Sequence, residues 1–336
     1  MTLKVISVGA GYFAAFHQEA WKRHADTELI AAVDPNLDRA KAVGVPAFPS
    51  LHAALEAVQA DIIDISAPPP AHDALVREAL AARPHAIICQ KPFATSIAEG
   101  EALAQTAEAA GIPLIIHENF RFQPWYRKAR EFIDEGSLGK LHQATFRFRT
   151  GDGRGPDAYL DRQPAFQTMP RLLIHETAVH WIDTFRYLLG PIESVYADLR
   201  QLNPAIQGED AGYVLFTCAS GARAVFDGNR LLDHDTANPR LTFGEALIEA
   251  EEATLSLTGD GALTLRRFGQ RAAETVLAAR NWPGFAGDCV YAVQAHVVAA
   301  LQGTGCLENE ARDYLTVRRV EEAIYLSNQE KRRVDI

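Results

Sequence analysis

A chain of 336 residues, 48% hydrophobic and 23% charged, is globular in composition and long enough for two domains with a core each. Its net charge of −10 excludes the basic surface that a nucleic-acid partner demands, and no apolar run approaches the length of a bilayer span. The four cysteines form no C-x-x-C pair and the first strand begins at Leu3, so the expectation is a cytoplasmic protein with reduced thiols and no secretory signal.

The first element is the β-rich run Leu3–Val8, which enters Gly9-Ala10-Gly11-Tyr12-Phe13-Ala14 before a helix-like stretch. Gly9 suits a tight turn. Gly11 lets backbone approach a pyrophosphate, and Ala14, in the third small position, lets the helix pack closely on the strand. The helix N-terminus offers N–H groups and a positive dipole end to phosphates. A second apolar run, Leu29–Val33, ends at Asp34, twenty residues past Ala14, about where a ribose-binding acid stands in this motif. The alternative is an ordinary glycine turn in another α/β protein, and this context favours the dinucleotide reading over it.

Further apolar runs follow at Ile62–Ile65, Ala86–Cys89 and Leu114–Ile116, separated by alanine-rich helical stretches, notably Ala71–Ala82 and Ile97–Ala110, the latter with Gly111 as its C-cap. Strands alternating with helices imply right-handed βαβ crossovers and a buried parallel sheet, with ligands at the carboxyl ends of the strands. Those ends carry Ser66 to His72, with three prolines that stiffen the loop, then Gln90-Lys91-Pro92, then His117-Glu118-Asn119. Lys91 follows a buried strand directly, which sets its ammonium at the ligand edge.

After Phe122 the texture changes, and the predicted boundary separates a dinucleotide-binding domain, 1–122, from a substrate and oligomerisation domain, 123–336. A helix over Tyr126–Glu135 and a strand over Leu141–Arg149 are expected. Thr150–Met169, rich in Gly, Pro, Asp and Arg, reads as a long loop, and Leu172–Leu189 as a helix stopped by Gly190-Pro191. Strands are predicted at Ser194–Leu202, Gly212–Cys218, Ala222–Asp227, Leu241–Ile248, Ala253–Thr258 and Ala262–Phe268. The turn pairs Ser220-Gly221 and Asp260-Gly261 suggest an antiparallel meander. Helices over Phe285–Leu301 and Glu310–Ser327 close the chain.

Within the helix over Leu172–Leu189, Glu176 and His180 are four apart and share a face, with Asp183 near it. His175 falls about 140° from His180 at roughly 100° per residue. The two histidines are five apart, not four, so a zinc site of the His-Glu-x-x-His kind is rejected, and no metal is expected. A satisfied i,i+4 pair is the bland reading of Glu176 and His180. A dinucleotide domain with a lysine-ended strand favours chemistry, because hydride transfer from an alcohol needs a base for the proton and a cation for the alkoxide.

At these residues the chain resembles the glucose-fructose oxidoreductase and inositol dehydrogenase family, Gfo/Idh/MocA. The resemblance rests on the Gly-x-Gly turn with His17, Pro68-Pro69-x-x-His72, and Gln90-Lys91-Pro92, where the family usually has Glu-Lys-Pro. It includes Glu118-Asn119-x-Arg121-x-x-Pro124, the acid four residues before a histidine, and the stretch from Glu310 to Val334. It implies an α/β protein with an N-terminal Rossmann parallel sheet and a C-terminal α/β domain bearing a large, open, mostly antiparallel sheet. That sheet commonly packs on its twin in homodimers or homotetramers. The family's catalytic lysine maps onto Lys91 and its histidine onto His180; the acid, usually aspartate, is Glu176 here. Met169-Pro170-Arg171 stands where many members have glycines. Some relatives with Gln-Lys-Pro and a His-Glu-Asn-Phe-Arg-Phe stretch act on aldoses, and D-apiose dehydrogenases are one group that the chain resembles.

The expectation is an NAD-dependent dehydrogenase of a sugar or polyol, with a small-molecule sugar substrate and neither nucleic acid nor membrane as partner. Candidate cofactor contacts are Gly9, Gly11, Tyr12 and Phe13 in the turn, Asp34, then Ser66, Pro68 and His72, and finally Gln90, Lys91 and Asn119. Lys91, Glu176 and His180 are expected to converge on one substrate hydroxyl. The rivals are an NAD-dependent glycoside hydrolase, a non-catalytic dinucleotide sensor, and a purely structural Rossmann-like protein.

Overall fold

The computed structural model describes residues 2–336, which pack into two compact units. The first comprises the chain up to Asn119 together with Cys289–Thr316; the second comprises Phe120–Asp288 and Val317–Ile336. The sequence reading draws one boundary, after Phe122, whereas the packing returns a later segment to the first unit. The reason is apolar: Val297 and Val298 sit in one buried cluster with Leu3, Val5, Trp21 and Ile88. The helix spanning Phe285–Leu301 has non-helical backbone at Ala286, Gly287 and Asp288, where the chain passes from one unit to the other.

The first unit holds six parallel strands: β1 (Leu3–Val8), β2 (Thr27–Val33), β3 (Ala47–Phe48), β4 (Ile62–Ile65), β5 (Ala86–Gln90) and β6 (Leu114–His117). Their order, β3-β2-β1-β4-β5-β6, is the doubly wound order whose crevice opens where it reverses, between β1 and β4. The register aligns Val8 with Val33 and Ile65, Ile65 with Cys89, and Cys89 with Ile116. Residues just past these five points therefore stand level along one edge. β4 and the first four residues of β5 are buried throughout, as a parallel sheet covered on both faces requires. Gly111 caps the helix Ile97–Ala110 in the left-handed conformation. The short strand β3 and the short helices Leu37–Ala42 and Leu51–Ala57 were not foreseen.

The second unit carries nine strands: β7 (Leu141–Phe148), β8 (Ile192–Arg200), β9 (Ala211–Cys218), β10 (Arg223–Asn229), β11 (Gly244–Ala250), β12 (Ala253–Leu257), β13 (Leu263–Arg267), β14 (Glu274–Leu277) and β15 (Val334–Asp335). Their order is β14-β13-β12-β11-β7-β10-β9-β8-β15. The expected meander needs correction. Two antiparallel runs, β8 to β10 and β11 to β14, flank β7, which pairs parallel with β10 and antiparallel with β11. The long connection from Asn229 to Gly244 leaves room for β7 between them. One face buries Phe146, Phe148 and Phe226 around Trp181, which stacks on Phe146 at 4.1 Å between ring centroids. The other face leaves Tyr196, Tyr213, Leu215 and Leu247 exposed.

Candidate active site

The glycine turn is built against the loop after β4. Gly9 has φ +100°, and a Cβ there would lie 2.7 Å from the Ser66 carbonyl oxygen, so both conformation and space demand glycine. At Gly11 an added Cβ would meet nothing within 4 Å; no protein contact requires that glycine. Phe13 caps the helix Ala14–Arg23 without a side-chain bond. That helix carries no acid in its first turn and places Lys22 and Arg23 in its last, a charge order that complements the dipole and leaves the N-terminus attractive to an anion. Tyr12 packs edge-on against Phe16, which Phe13 also contacts.

Asp34, at the end of β2, accepts the Ala10 N–H on Oδ2 and the Asn36 N–H on Oδ1, each at 2.8 Å. The carboxylate is thus oriented by backbone while keeping lone pairs for hydroxyl donors. Beyond β4, His72 Nε2 donates to the Ala67 carbonyl at 2.7 Å and staples the loop holding Pro68. Burial depresses the His72 pKa, favouring a neutral ring. The buried Ser66 Oγ and His72 Nδ1 have no hydrogen-bond partner among the described residues. Beyond β5, Gln90 Oε1 accepts the Lys91 backbone N–H at 2.6 Å. Asn119 is turned inward, its amide donating to Cys289 Sγ at 3.2 Å. Apart from Asn119, then, the predicted cofactor residues gather at the carboxyl edge of one sheet.

Glu176 and His180 lie in the second unit, and their helix is not the continuous α-helix expected. Leu173–Ala178 is a π-helix and Val179–Leu189 is α-helical. The Val179 N–H reaches back five residues to the Ile174 carbonyl, so the 100° step does not carry across Glu176 and His180. The wide turn is anchored by Glu209. Its carboxylate accepts the Ile174 N–H at 3.0 Å and the Tyr325 hydroxyl at 2.6 Å, and its carbonyl accepts the Leu173 N–H at 2.9 Å. His175 is turned away to Glu321, Nδ1 to Oε1 at 2.6 Å.

The buried His180 ring stacks on Phe120 at 4.1 Å with planes 9° apart, and its carbonyl accepts the Thr184 hydroxyl at 2.8 Å. Asp183, noted in the sequence only for its spacing, is fully buried and holds Arg121 through two hydrogen bonds of 2.5 and 2.7 Å. This clamp fixes the helix to the segment carrying Phe120. Sequence reasoning also named no residue of a partly buried polar cluster. Asp152 accepts from Thr150 at 2.6 Å, Arg162 at 3.0 Å and Tyr159 at 3.2 Å, with Arg230 paired to it at 3.5 Å. Burial alone would raise the Asp152 carboxyl, but Arg230, Thr150 and Arg162 hold it below the usual range. Burial likewise opposes the Arg230 charge, and the fields of Tyr159, Asp152 and Glu176 outweigh it. The only advance signal of this cluster was the Asp and Arg content of the loop over 150–169.

No group of three His, Cys, Asp or Glu side chains among the described residues is arranged to hold a metal ion, and no helix among them is long and apolar enough to cross a membrane.

A family model described as "Oxidoreductase family, NAD-binding Rossmann fold" matches residues 3–117, and one described as "GFO/IDH/MocA C-terminal domain" matches residues 126–246. The chain is 31% identical to a D-apiose dehydrogenase of Paraburkholderia graminis, over 98% of this chain and 88% of that protein. It is 30% identical to a D-apiose dehydrogenase of Rhizobium rhizogenes, over 99% and 97%. Among solved structures, an oxidoreductase from Agrobacterium radiobacter in complex with NAD+, L-tartaric acid and magnesium matches with a TM-score of 0.88 and 28% identity, over 100% of this chain and 98% of that one.

Proposed function

Because this chain belongs to the Gfo/Idh/MocA family of NAD-binding oxidoreductases, we propose that it oxidises a hydroxyl of a sugar or polyol, an aldose such as D-apiose in the first instance. The observation that carries this reading is the similarity to D-apiose dehydrogenases along nearly the whole chain, a span that includes both the glycine turn and the helix of His180. When bound, NAD supplies the acceptor for the hydride. The residues fit it: the Gly11 position is open, the Ala14–Arg23 helix presents its N-terminus, and the Asp34 carboxylate is aimed by two backbone N–H groups. In this proposal His180 takes the hydroxyl proton, Glu176 orients and tunes it, and Lys91 stabilises the charge left on oxygen. The setting is cytoplasmic, with all four cysteines as thiols. The test is a screen of aldoses and polyols, D-apiose included, watching NADH absorbance. Absence of turnover throughout that set, with NAD bound, would overturn it.

Cofactor choice follows from Asp34. A 2′-phosphate would face its carboxylate, and like-charge juxtaposition costs several kcal/mol. The ratio of kcat/KM values should therefore favour NAD over NADP by roughly 10²-fold or more, and Asp34→Asn should narrow it. A preference for NADP in the wild type would refute this role of Asp34.

We also propose a homodimer or homotetramer through the open face of the second sheet. The register sets Tyr196 beside Leu215, Leu215 beside Val225, Val225 beside Thr145 and Thr145 beside Leu247, a row without charge across five strands. An exposed patch of that kind marks an interaction surface. Light scattering should give a dimer or larger for the wild type and a monomer for Leu215→Asp combined with Leu247→Asp. A wild type monomeric throughout the micromolar range would count against it.

A further inference from the structure

The backbone of Lys91 is bonded to a chain of side chains that starts in the buried interior of the first unit. Asp64, on β4, is fully buried and accepts the Trp21 Nε1–H at 2.6 Å and the His17 Nδ1–H at 2.8 Å. A carboxylate only accepts, so the imidazole proton of His17 is placed on Nδ1. Nε2 then carries a lone pair, and it faces the Gln90 amide nitrogen at 3.2 Å. The other end of that amide, Oε1, accepts the Lys91 N–H. The His117 ring lies 3.9 Å from the fully buried His17 ring with the planes tilted by 36°, and Gln294 donates to the His17 carbonyl at 3.1 Å. The titratable groups facing His17 are thus Asp64 from β4 and His117 from β6. Burial keeps the neighbouring Cys89 thiol protonated, and Gln90, Trp21 and Gln294 are neutral.

The amide of Gln90 is used at both ends, a donor toward imidazole and an acceptor toward Lys91. We propose that Asp64, His17 and Gln90 are positioning residues, a relay that fixes the backbone of Lys91 and requires a neutral His17. This rests on the reading of Lys91 as the cation of the reaction. Its consequence is that Gln90 is not interchangeable with glutamate: a carboxylate would present an acceptor to Nε2, and the pair would form only with a second proton on His17.

Two variants test it. Gln90→Met removes both ends of the amide at similar length. It should lower kcat by about 10²-fold, the cost of a misplaced reacting group, while KM for the sugar changes less. Gln90→Glu should be active where His17 is protonated and lose activity as pH rises through the pKa of that ring. Its kcat profile thus gains an alkaline limb absent from the wild type. Histidine 15N NMR should show Nε2 of His17 bare in the wild type at neutral pH and protonated in Gln90→Glu, titrating with the new limb. If Gln90→Met folds poorly, Gln90→Glu decides alone. Wild-type kcat in Gln90→Met, or a wild-type profile and bare Nε2 in Gln90→Glu, overturns the relay. If Lys91→Ala keeps full activity, the role given to Lys91 falls instead, and the histidine spectra still judge the relay by themselves.

Discussion

Lys91→Ala should lower kcat by roughly 10²–10³-fold, the loss seen when a single donor to a developing oxyanion is removed. The expectation starts from position. Lys91 follows β5 at the level where β1, β2 and β4 also end, so its ammonium belongs to the edge where ligands of doubly wound sheets bind. An alkoxide left uncompensated in a water-poor site is costly. KM for the sugar should change less than kcat, because the charge exists only as the bond breaks. Added ethylamine should restore part of the rate by entering the space vacated. Near-wild-type turnover in Lys91→Ala would remove the lysine from the chemistry.

His180→Ala should remove a base worth roughly 10²–10⁴-fold in kcat. NAD affinity should survive, since the glycine turn and Asp34 lie wholly within the first unit. Glu176→Gln should cost less and should change the pH–rate profile, as its proposed role of orienting and tuning His180 requires. Two structural features hold the ring in place: the stack on Phe120 and the buried clamp of Asp183 on Arg121. Asp183→Asn is therefore not a clean probe of catalysis. It leaves a buried arginine without its counter-charge, which costs about 3–5 kcal/mol of stability. A His180→Ala enzyme with wild-type kcat on the true sugar would return Glu176 and His180 to a structural role.

Much of the first unit was legible because its signals are local. An apolar run, a glycine turn and an acid at the end of the next run each occupy a few consecutive residues, and alternation of strand with helix admits few topologies. The positions of Gly9, Asp34 and Lys91 follow from the same rule, since a residue just past a buried parallel strand has one edge to occupy. The family resemblance added the large second sheet, which alternation alone suggested only as a meander.

What tertiary structure decided involves partners far apart in the chain. β7 enters between β10 and β11 because each edge of those strands needs a hydrogen-bonding neighbour, and no periodicity in Leu141–Phe148 names that neighbour. Cys289–Thr316 rejoins the first unit through Val297 and Val298, whose pattern says only that one face is buried. The π-turn at Leu173–Ala178 is held by Glu209 and Tyr325, so the helical spacing of Glu176 and His180 misjudged their geometry. Asp64, His17 and Gln90 are separated by 47 and 73 residues along the chain. The sequence determined that a strand end carries Lys91. Folding alone determined that a buried carboxylate, through one imidazole and one amide, reaches the backbone that presents it, because hydrogen bonds depend on distances that only packing sets.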